Sequence, residues 1–194
     1  MSDPAKGKIL VFTAPSGAGK TTLVRHLLER FAERLAFSVS ATTRQPRATE
    51  EHGRDYYFIS PQEFEKRAAA GEFLEFEEVY ERQFYGTLHS ELQRLWDQGK
   101  VVLFDMEVNG ATAVKAAFPE QTRVVFVAPP NSEVLFDRLR RRGTEDESSI
   151  NKRIARATEE LNYRDSFDLV LVNDDLTTAK GDAERIVEEW LAEP

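Results

Sequence analysis

Ile9-Leu-Val-Phe-Thr-Ala14-Pro-Ser-Gly-Ala-Gly-Lys20-Thr21 decides the fold of this 194-residue chain. The apolar run Ile9–Thr13 reads as a buried strand, and Thr22-Leu-Val-Arg-His-Leu-Leu28 reads as the first turns of a helix. Between them lies a glycine-rich turn that ends in Lys-Thr at the helix start, the arrangement of a phosphate-binding loop. Glycines let successive backbone N–H groups converge on anionic oxygens, and the helix N-terminus adds partial positive charge. Ala14, Pro15, Ser16, Gly17, Ala18, Gly19 and Thr22 make up this cradle. Lys20 is placed to reach the outer phosphates of a nucleoside triphosphate, and the Thr21 hydroxyl to help hold Mg²⁺. Ala14 stands where the first glycine of such loops usually stands. If that position needs a positive φ, its Cβ costs about 1–2 kcal/mol.

Outward from the loop, short apolar strands alternate with amphipathic helices. The strands expected are Ile9–Thr13, Phe37–Ser40, Val101–Asp105, Val124–Val127 and Leu169–Val172. The helices expected are Lys20–Arg34, Ser90–Gln98, Gly110–Phe118, Ser132–Arg142, Ser148–Tyr163 and Ala179–Leu191. Continuous β-branched runs mark parallel strands buried on both faces. The alternation implies an α/β fold, a doubly wound parallel sheet with helices on both faces and ligands at the carboxyl ends of its strands. Asp105 ends one such strand at that edge, where a carboxylate can hold Mg²⁺ directly or through water.

Residues 41–87 break the rhythm. They hold a turn-rich charged stretch (Thr42–Arg54), a strand-like Asp55–Ile59, a short helix and a second strand-like run, Glu72–Tyr80. The helix carries a capping box, Ser60-Pro-Gln-Glu63, and ends at Gly71. This reads as a small mixed β/α insertion. A second irregular piece, Arg142-Gly-Thr-Glu-Asp-Glu147, reads as a mobile lid between two helices.

Composition narrows the function classes. A net charge of −8 argues against non-specific binding to nucleic acid or an anionic membrane. The absence of cysteine excludes disulfides and thiolate chemistry, and the three histidines, His26, His52 and His89, lie too far apart in sequence for a multi-histidine metal site. No apolar stretch approaches the length of a membrane span, so the cytoplasm is the expected location. An acidic protein that handles phosphates must concentrate its arginines locally. Between Pro130 and Arg156 there are seven Lys or Arg against five acids, four of the arginines falling within Arg138–Arg142.

Several further stretches carry a resemblance. They are Phe37-Ser-Val-Ser40-Ala-Thr-Thr-Arg44-Gln-Pro-Arg47, Gly53-Arg-Asp-Tyr56-Tyr-Phe58, Gly71-Glu-Phe-Leu-Glu75 and Tyr85-Gly-Thr87, then Ala128-Pro-Pro130, Arg138-Leu-Arg-Arg-Arg-Gly-Thr144, Ile150-Asn-Lys-Arg153 and Val172-Asn-Asp-Asp-Leu176. In order and spacing, over nearly the whole chain, they resemble guanylate kinase. The resemblance implies a P-loop three-layer sandwich in one domain, 1–194. It has a core of 1–37 and 88–194, a GMP-binding insertion at 38–87 and a lid at about 137–156. It also implies transfer of the γ-phosphoryl of MgATP to GMP, and by extension dGMP. ATP and GMP are then the partners, with no nucleic acid and no membrane, and the assembly is a monomer or a homodimer.

Roles carried over from the family fall on matching positions. Glu75 and Ser40, with Thr87 nearby, would read guanine, whose ring N–H and exocyclic amine suit one carboxylate and whose carbonyl suits a hydroxyl. Read alone, Glu75 sits among Glu72, Glu77 and Glu78 as a solvated acidic face. Arg44, Arg47, Tyr56 and Tyr85 would hold the phosphate of GMP, with Asp105 close by, the arginines through planar forks that match phosphate oxygens. Arg142 and Arg153, supported by Arg138, would close over the triphosphate, and Asn173 and Asp175 fall in the adenine-contacting segment. Lys20, Arg47, Arg142 and Arg153 are the expected catalytic set.

Two departures stand out. Phe76–Phe84 is one residue longer than is common in the family, which bears on where Tyr85 points. After Asp105 the chain reads Met-Glu-Val-Asn-Gly110, with Glu107 and Asn109 where many relatives have a second Asp and a Gln. Two other functions fit parts of the pattern. One is a non-catalytic guanylate-kinase-like module that binds peptides, against which stand Lys20, Thr21, Asp105 and the arginines. The other is a kinase for AMP or a ribosyl phosphate, against which stands the pairing of Ser40 with Glu75.

Overall fold

The computed structural model describes residues 7–80, 82–142 and 147–193. β1 (Ile9–Thr13) lies at the centre of a five-stranded parallel sheet, flanked by β7 (Val101–Met106) and β8 (Thr122–Ala128). β2 (Leu35–Phe37) and β9 (Leu169–Val172) form its edges. Side chains alternate across a strand, so Leu10 and Phe12 enter one core and Ile9 and Val11 the other. The first core is closed by α1 (Lys20–Arg30), α5 (Ser132–Arg142), α6 (Glu147–Leu161) and α7 (Leu176–Ala192). The second is closed by α3 (His89–Asp97) and α4 (Val108–Ala117). A strand buried on both faces reads as a near-continuous apolar run rather than an alternating one, and β1 departs from this only at the buried Thr13.

The second sheet has four strands in the order β4-β3-β6-β5 and mixes parallel with antiparallel pairs. β3 (Ala41–Thr42), β4 (Tyr57–Phe58), β5 (Phe73–Tyr80) and β6 (Gln83–Leu88) pack beside α2 (Pro61–Ala69). Phe64, Phe73, Ala41 and Leu88 make its own small core, with the Phe64 and Phe73 rings stacked at 4.3 Å between centroids. Half of the expected capping box forms: Ser60 Oγ accepts from the Glu63 N–H at 3.1 Å, while the Glu63 carboxylate turns to Arg67 Nε at 2.7 Å. Gly71, just past α2, takes φ +68°.

The expected strand Phe37–Ser40 is displaced. Pairing with β7 begins at the buried Leu35 and stops at Phe37. The chain then leaves the parallel sheet and joins the second one at Ala41. Helix α1 likewise ends at Arg30 rather than Arg34, because the following residues turn to bring Leu35 beside Val101. The stretch 76–84 spans the β5–β6 hairpin. Arg82 there adopts φ +58°, and the pairing register shifts between Glu78 and Tyr80. A bulge of this kind absorbs a residue without moving the strand beyond it. Of the expected lid loop, Arg142–Glu147, residues 143–146 lie outside the described residues.

Candidate functional site

β1 delivers the chain into the phosphate loop at the carboxyl edge of the parallel sheet. Gly17 and Gly19 have φ of +91° and +92°, the left-handed region that side chains disfavour. Among the described residues Arg82 is the only non-glycine with positive φ, so Ala14, although it replaces a glycine, incurs none of the strain expected for it. A Cβ on Gly19 would lie 2.3 Å from Asn173 Nδ2. Asn173 is 5% exposed, and its amide donates to the Ala18 carbonyl at 2.7 Å, bracing the loop from behind. Arg138 Nη2 in turn donates to the Asn173 carbonyl at 3.2 Å.

Register places Asp105 of β7 opposite Phe12, next to the loop. Its two carboxylate oxygens face Lys20 Nζ, in direct contact, and Thr21 Oγ, which donates at 2.9 Å. Burial pulls the Lys20 ammonium below its usual pKa, and Glu107 and Glu160 oppose that fall. With the Asp105 carboxylate touching it, the amine stays protonated near neutral pH. Among the described residues no group of three or more His, Cys, Asp or Glu forms a metal cage. One hydroxyl and one carboxylate beside a phosphate cradle suit a cation that takes its remaining ligands from phosphate and water.

Two clefts open at this edge. The first is lined by the phosphate loop, Lys20, Thr21, Glu107, Arg153, Arg156 and Glu160. Arg153 Nη2 donates to Ser16 Oγ at 3.3 Å. The second cleft lies between the two sheets and is lined by Ser40, Tyr56, Glu75, Tyr85, Thr87 and Asp105, among others. Thr87 Oγ donates to Glu75 Oε1 at 2.7 Å, which leaves Oε2 to another donor. Burial raises the Glu75 carboxyl above its usual pKa, and the bonds from Thr87 partly counter this.

At the rim of the second cleft Arg44 is held flat. Its two terminal nitrogens donate to both oxygens of Glu50 at 2.9 and 2.8 Å, and Nε donates to the Tyr85 hydroxyl at 3.2 Å. Its guanidinium lies 5.4 Å from the Tyr56 ring centre, and Tyr56 meets Tyr85 edge-on. Tyr85 therefore faces Arg44 and Tyr56. Glu50 also accepts from the Arg47 N–H at 2.7 Å, and these bonds drive its carboxyl to about 2. The Arg47 side chain is exposed.

Not every expected residue reaches a cleft. Asp175 caps α7, accepting from the Thr178 N–H and hydroxyl at 2.8 and 2.9 Å, and Asp174 lines the neighbouring hollow in its place. That hollow also touches Gly17, Gly19, Arg138, Asn173 and Leu176. The Arg142 side chain lies outside the described residues. Glu50, Glu160 and Arg156 stand out only in the structure: Glu50 meets Arg44 and Arg47 through an irregular loop turn, and Arg156, besides its i,i+4 partner Glu160, reaches Glu107 far away in sequence.

A central parallel sheet, a glycine loop opening onto α1 and a second sheet that adds a facing cleft define the class as a P-loop α/β nucleotide-binding protein. A family model described as guanylate kinase matches residues 6–190. The guanylate kinase of Salinibacter ruber is 50% identical over 171 residues, 88% of this chain and 90% of that protein. That of Porphyromonas gingivalis is 42% identical over 185 residues, 95% of this chain and 98% of the relative. Among solved structures, the guanylate kinase of Anaplasma phagocytophilum superposes with a TM-score of 0.70 at 28% identity, covering 97% of this chain and 88% of that one. The chain belongs to the guanylate kinase family.

Proposed function

We propose that this protein phosphorylates GMP, and with it dGMP, to the diphosphate by in-line transfer of the γ-phosphoryl group of ATP. The observation that carries the reading is the pair of facing clefts, one built on a phosphate loop and the other on the Glu75–Thr87 pair. ATP takes the first cleft. Loop N–H groups and Lys20 hold its phosphates, and Arg153, with Arg142 and Arg138 in support, gathers the outer charge. Asn173 acts on the adenosine side by bracing the loop, with Asp174 and Asp175 beside it.

GMP takes the second cleft. The Glu75 carboxylate accepts from the guanine ring N–H and exocyclic amine, oriented by Thr87, and the Ser40 hydroxyl meets the guanine carbonyl. Adenine would present a bare ring nitrogen to that carboxylate and leave it unpaired in a half-buried site. Sites that depend on such bonds reject the wrong partner by about 10⁴-fold. Arg44, Arg47, Tyr56 and Tyr85 hold the GMP phosphate, with Asp105 between the two nucleotides.

A phosphate monoester is largely ionised near neutral pH, with a second pKa of about 6, so the acceptor oxygen needs no general base. The protein's task is to place two anions in line and neutralise them. Thr21 and Asp105 would hold Mg²⁺, which supplies further positive charge at the transferring group. On this reading the core is 1–37 and 88–194, the GMP-binding insertion 38–87 and the lid about 137–156. The insertion and lid move toward the core to exclude water. One chain carries every group in the scheme, so a monomer or a homodimer serves equally, and the cytoplasm is where ATP and GMP meet.

Guanosine is what separates this reading from a peptide-binding module or an AMP kinase. A coupled ADP-release assay tests it with GMP, dGMP, AMP, CMP and UMP. The expected result is turnover with the two guanine nucleotides, abolished by Lys20→Ala and Arg47→Ala. Turnover that survives either substitution overturns the assignment.

A further inference from the structure

Among the described residues, only Glu107 and Arg156 line both clefts. Glu107 immediately follows β7 and occupies the N-cap position of α4, but its side chain makes no capping bond there. It pairs instead with Arg156 Nη2, in direct contact. Arg156 Nε donates to Glu160 Oε1 at 3.2 Å. Arg153, Arg156 and Glu160 stand three and then four residues apart on α6, so they share one face, and that face looks onto the phosphate loop. One helix thus presents a cation to Ser16 and a second cation to the passage between the clefts.

Resting on the GMP-kinase reading, we propose that Arg156 is a further catalytic residue, a guanidinium stationed at the crossing between donor and acceptor that contacts the γ-phosphoryl group in transit. Glu107 and Glu160 hold it there until the nucleotides bind. The Arg156 side chain is 59% exposed and that of Glu107 55%. An ion pair that open to solvent is weak, so phosphate oxygens readily take the guanidinium over. Guanidinium is permanently charged and presents a planar fork, which suits charge spread over the equatorial oxygens of a transferring phosphoryl group. In the step itself a GMP phosphate oxygen bonds to the γ-phosphorus as the bond from that phosphorus to the β–γ bridging oxygen breaks. ADP departs with the electron pair, and no proton passes through Arg156. Glu107 is the counter-charge this chain uses to park the arginine.

Steady-state kinetics with ATP and GMP on the whole chain test this, using Arg156→Ala and Arg156→Lys, each in the parent and in a Glu107→Gln background. Melting temperatures check that the variants are folded. Arg156→Ala is expected to lower kcat about 10²-fold with both KM values changed far less, the loss typical of removing one transition-state donor. Lysine, a point charge without the fork, should recover only part of it. The loss should persist in the Glu107→Gln background. A kcat that stays within a few-fold of the parent overturns the proposal. So does a loss that vanishes once Glu107 is neutral, because Arg156 would then serve only to offset that carboxylate. Absence of GMP turnover in the parent itself would instead strike at the underlying reading.

Discussion

Replacing Glu75 with glutamine separates recognition from stability at a single atom. In the folded chain the Glu75 carboxyl is partly buried, one oxygen is committed to the Thr87 hydroxyl at 2.7 Å, and burial raises its pKa. Two guanine donors aim at this group on the proposed reading. Glutamine keeps the shape but offers one acceptor and one N–H₂ group, so at least one guanine donor faces another donor. A hydrogen bond to a charged group contributes about 1.5–3 kcal/mol, and a buried donor left unpaired costs about 1–3 kcal/mol. Together these amount to roughly 10²- to 10⁴-fold in kcat/KM for GMP.

Stability should move the other way. A folded pKa raised above the unfolded value means that the native state holds this proton more tightly. The contribution of Glu75 is therefore fully present at acid pH and is lost as pH rises through the raised value. Glutamine removes that loss, so the melting temperature at pH 7 should stay level or rise. GMP affinity of the parent should fall as pH drops through the same value, since a protonated carboxyl cannot accept both donors. The assay compares kcat/KM for GMP and for inosine monophosphate, which lacks the exocyclic amine. The parent should prefer GMP clearly, and Glu75→Gln should flatten the preference. A variant that still discriminates as the parent does would refute the assigned contact.

Gly19→Ala should impair ATP binding and cost about 1–2 kcal/mol or more, from φ +92° together with a Cβ 2.3 Å from Asn173 Nδ2; chemical denaturation and ATP titration check it. Adding Asn173→Ala should relieve the clash but not the backbone strain, giving partial recovery at most. Glu50→Gln should raise KM for GMP while leaving KM for ATP unchanged, because Glu50 holds Arg44 flat and accepts from Arg47 N–H. Asp105→Asn should lower kcat and weaken its Mg²⁺ dependence, since the carboxylate faces both Lys20 and Thr21; a magnesium titration of activity reads this out.

Strands buried on both faces were the most legible elements. Ile9–Thr13 has the bounds its apolar run implies and is buried throughout between the two cores. Leu169–Val172 also has its expected bounds, but as an edge strand it leaves Val170 and Val172 exposed, so the expectation of a fully buried strand there is corrected. β6 was not legible as a strand. Gln83–Leu88 mixes polar and aromatic residues, and only its partners, β5 on one side and β3 on the other, make it a strand. Helix α7 begins at Leu176, earlier than the expected Ala179, and the Asp175–Thr178 cap that sets this start also keeps Asp175 out of the neighbouring hollow. Family resemblance assigned Glu75 and Tyr85 their setting, and the cleft brings them together with Ser40 and Thr87. Glu50, Glu107, Glu160 and Arg156 depend on pairings across loops and helices. Charge alone does not specify those, because an acid beside many other acids looks solvated until its partner's position is known.

Transfer of the γ-phosphate from ATP labelled at that position, followed by separation of the nucleotides, tests the central claim most directly. The account predicts label in GDP when GMP is present, little label in free phosphate, and none in ADP when AMP replaces GMP. Label appearing mainly as free phosphate, or passing to AMP as readily as to GMP, would contradict it.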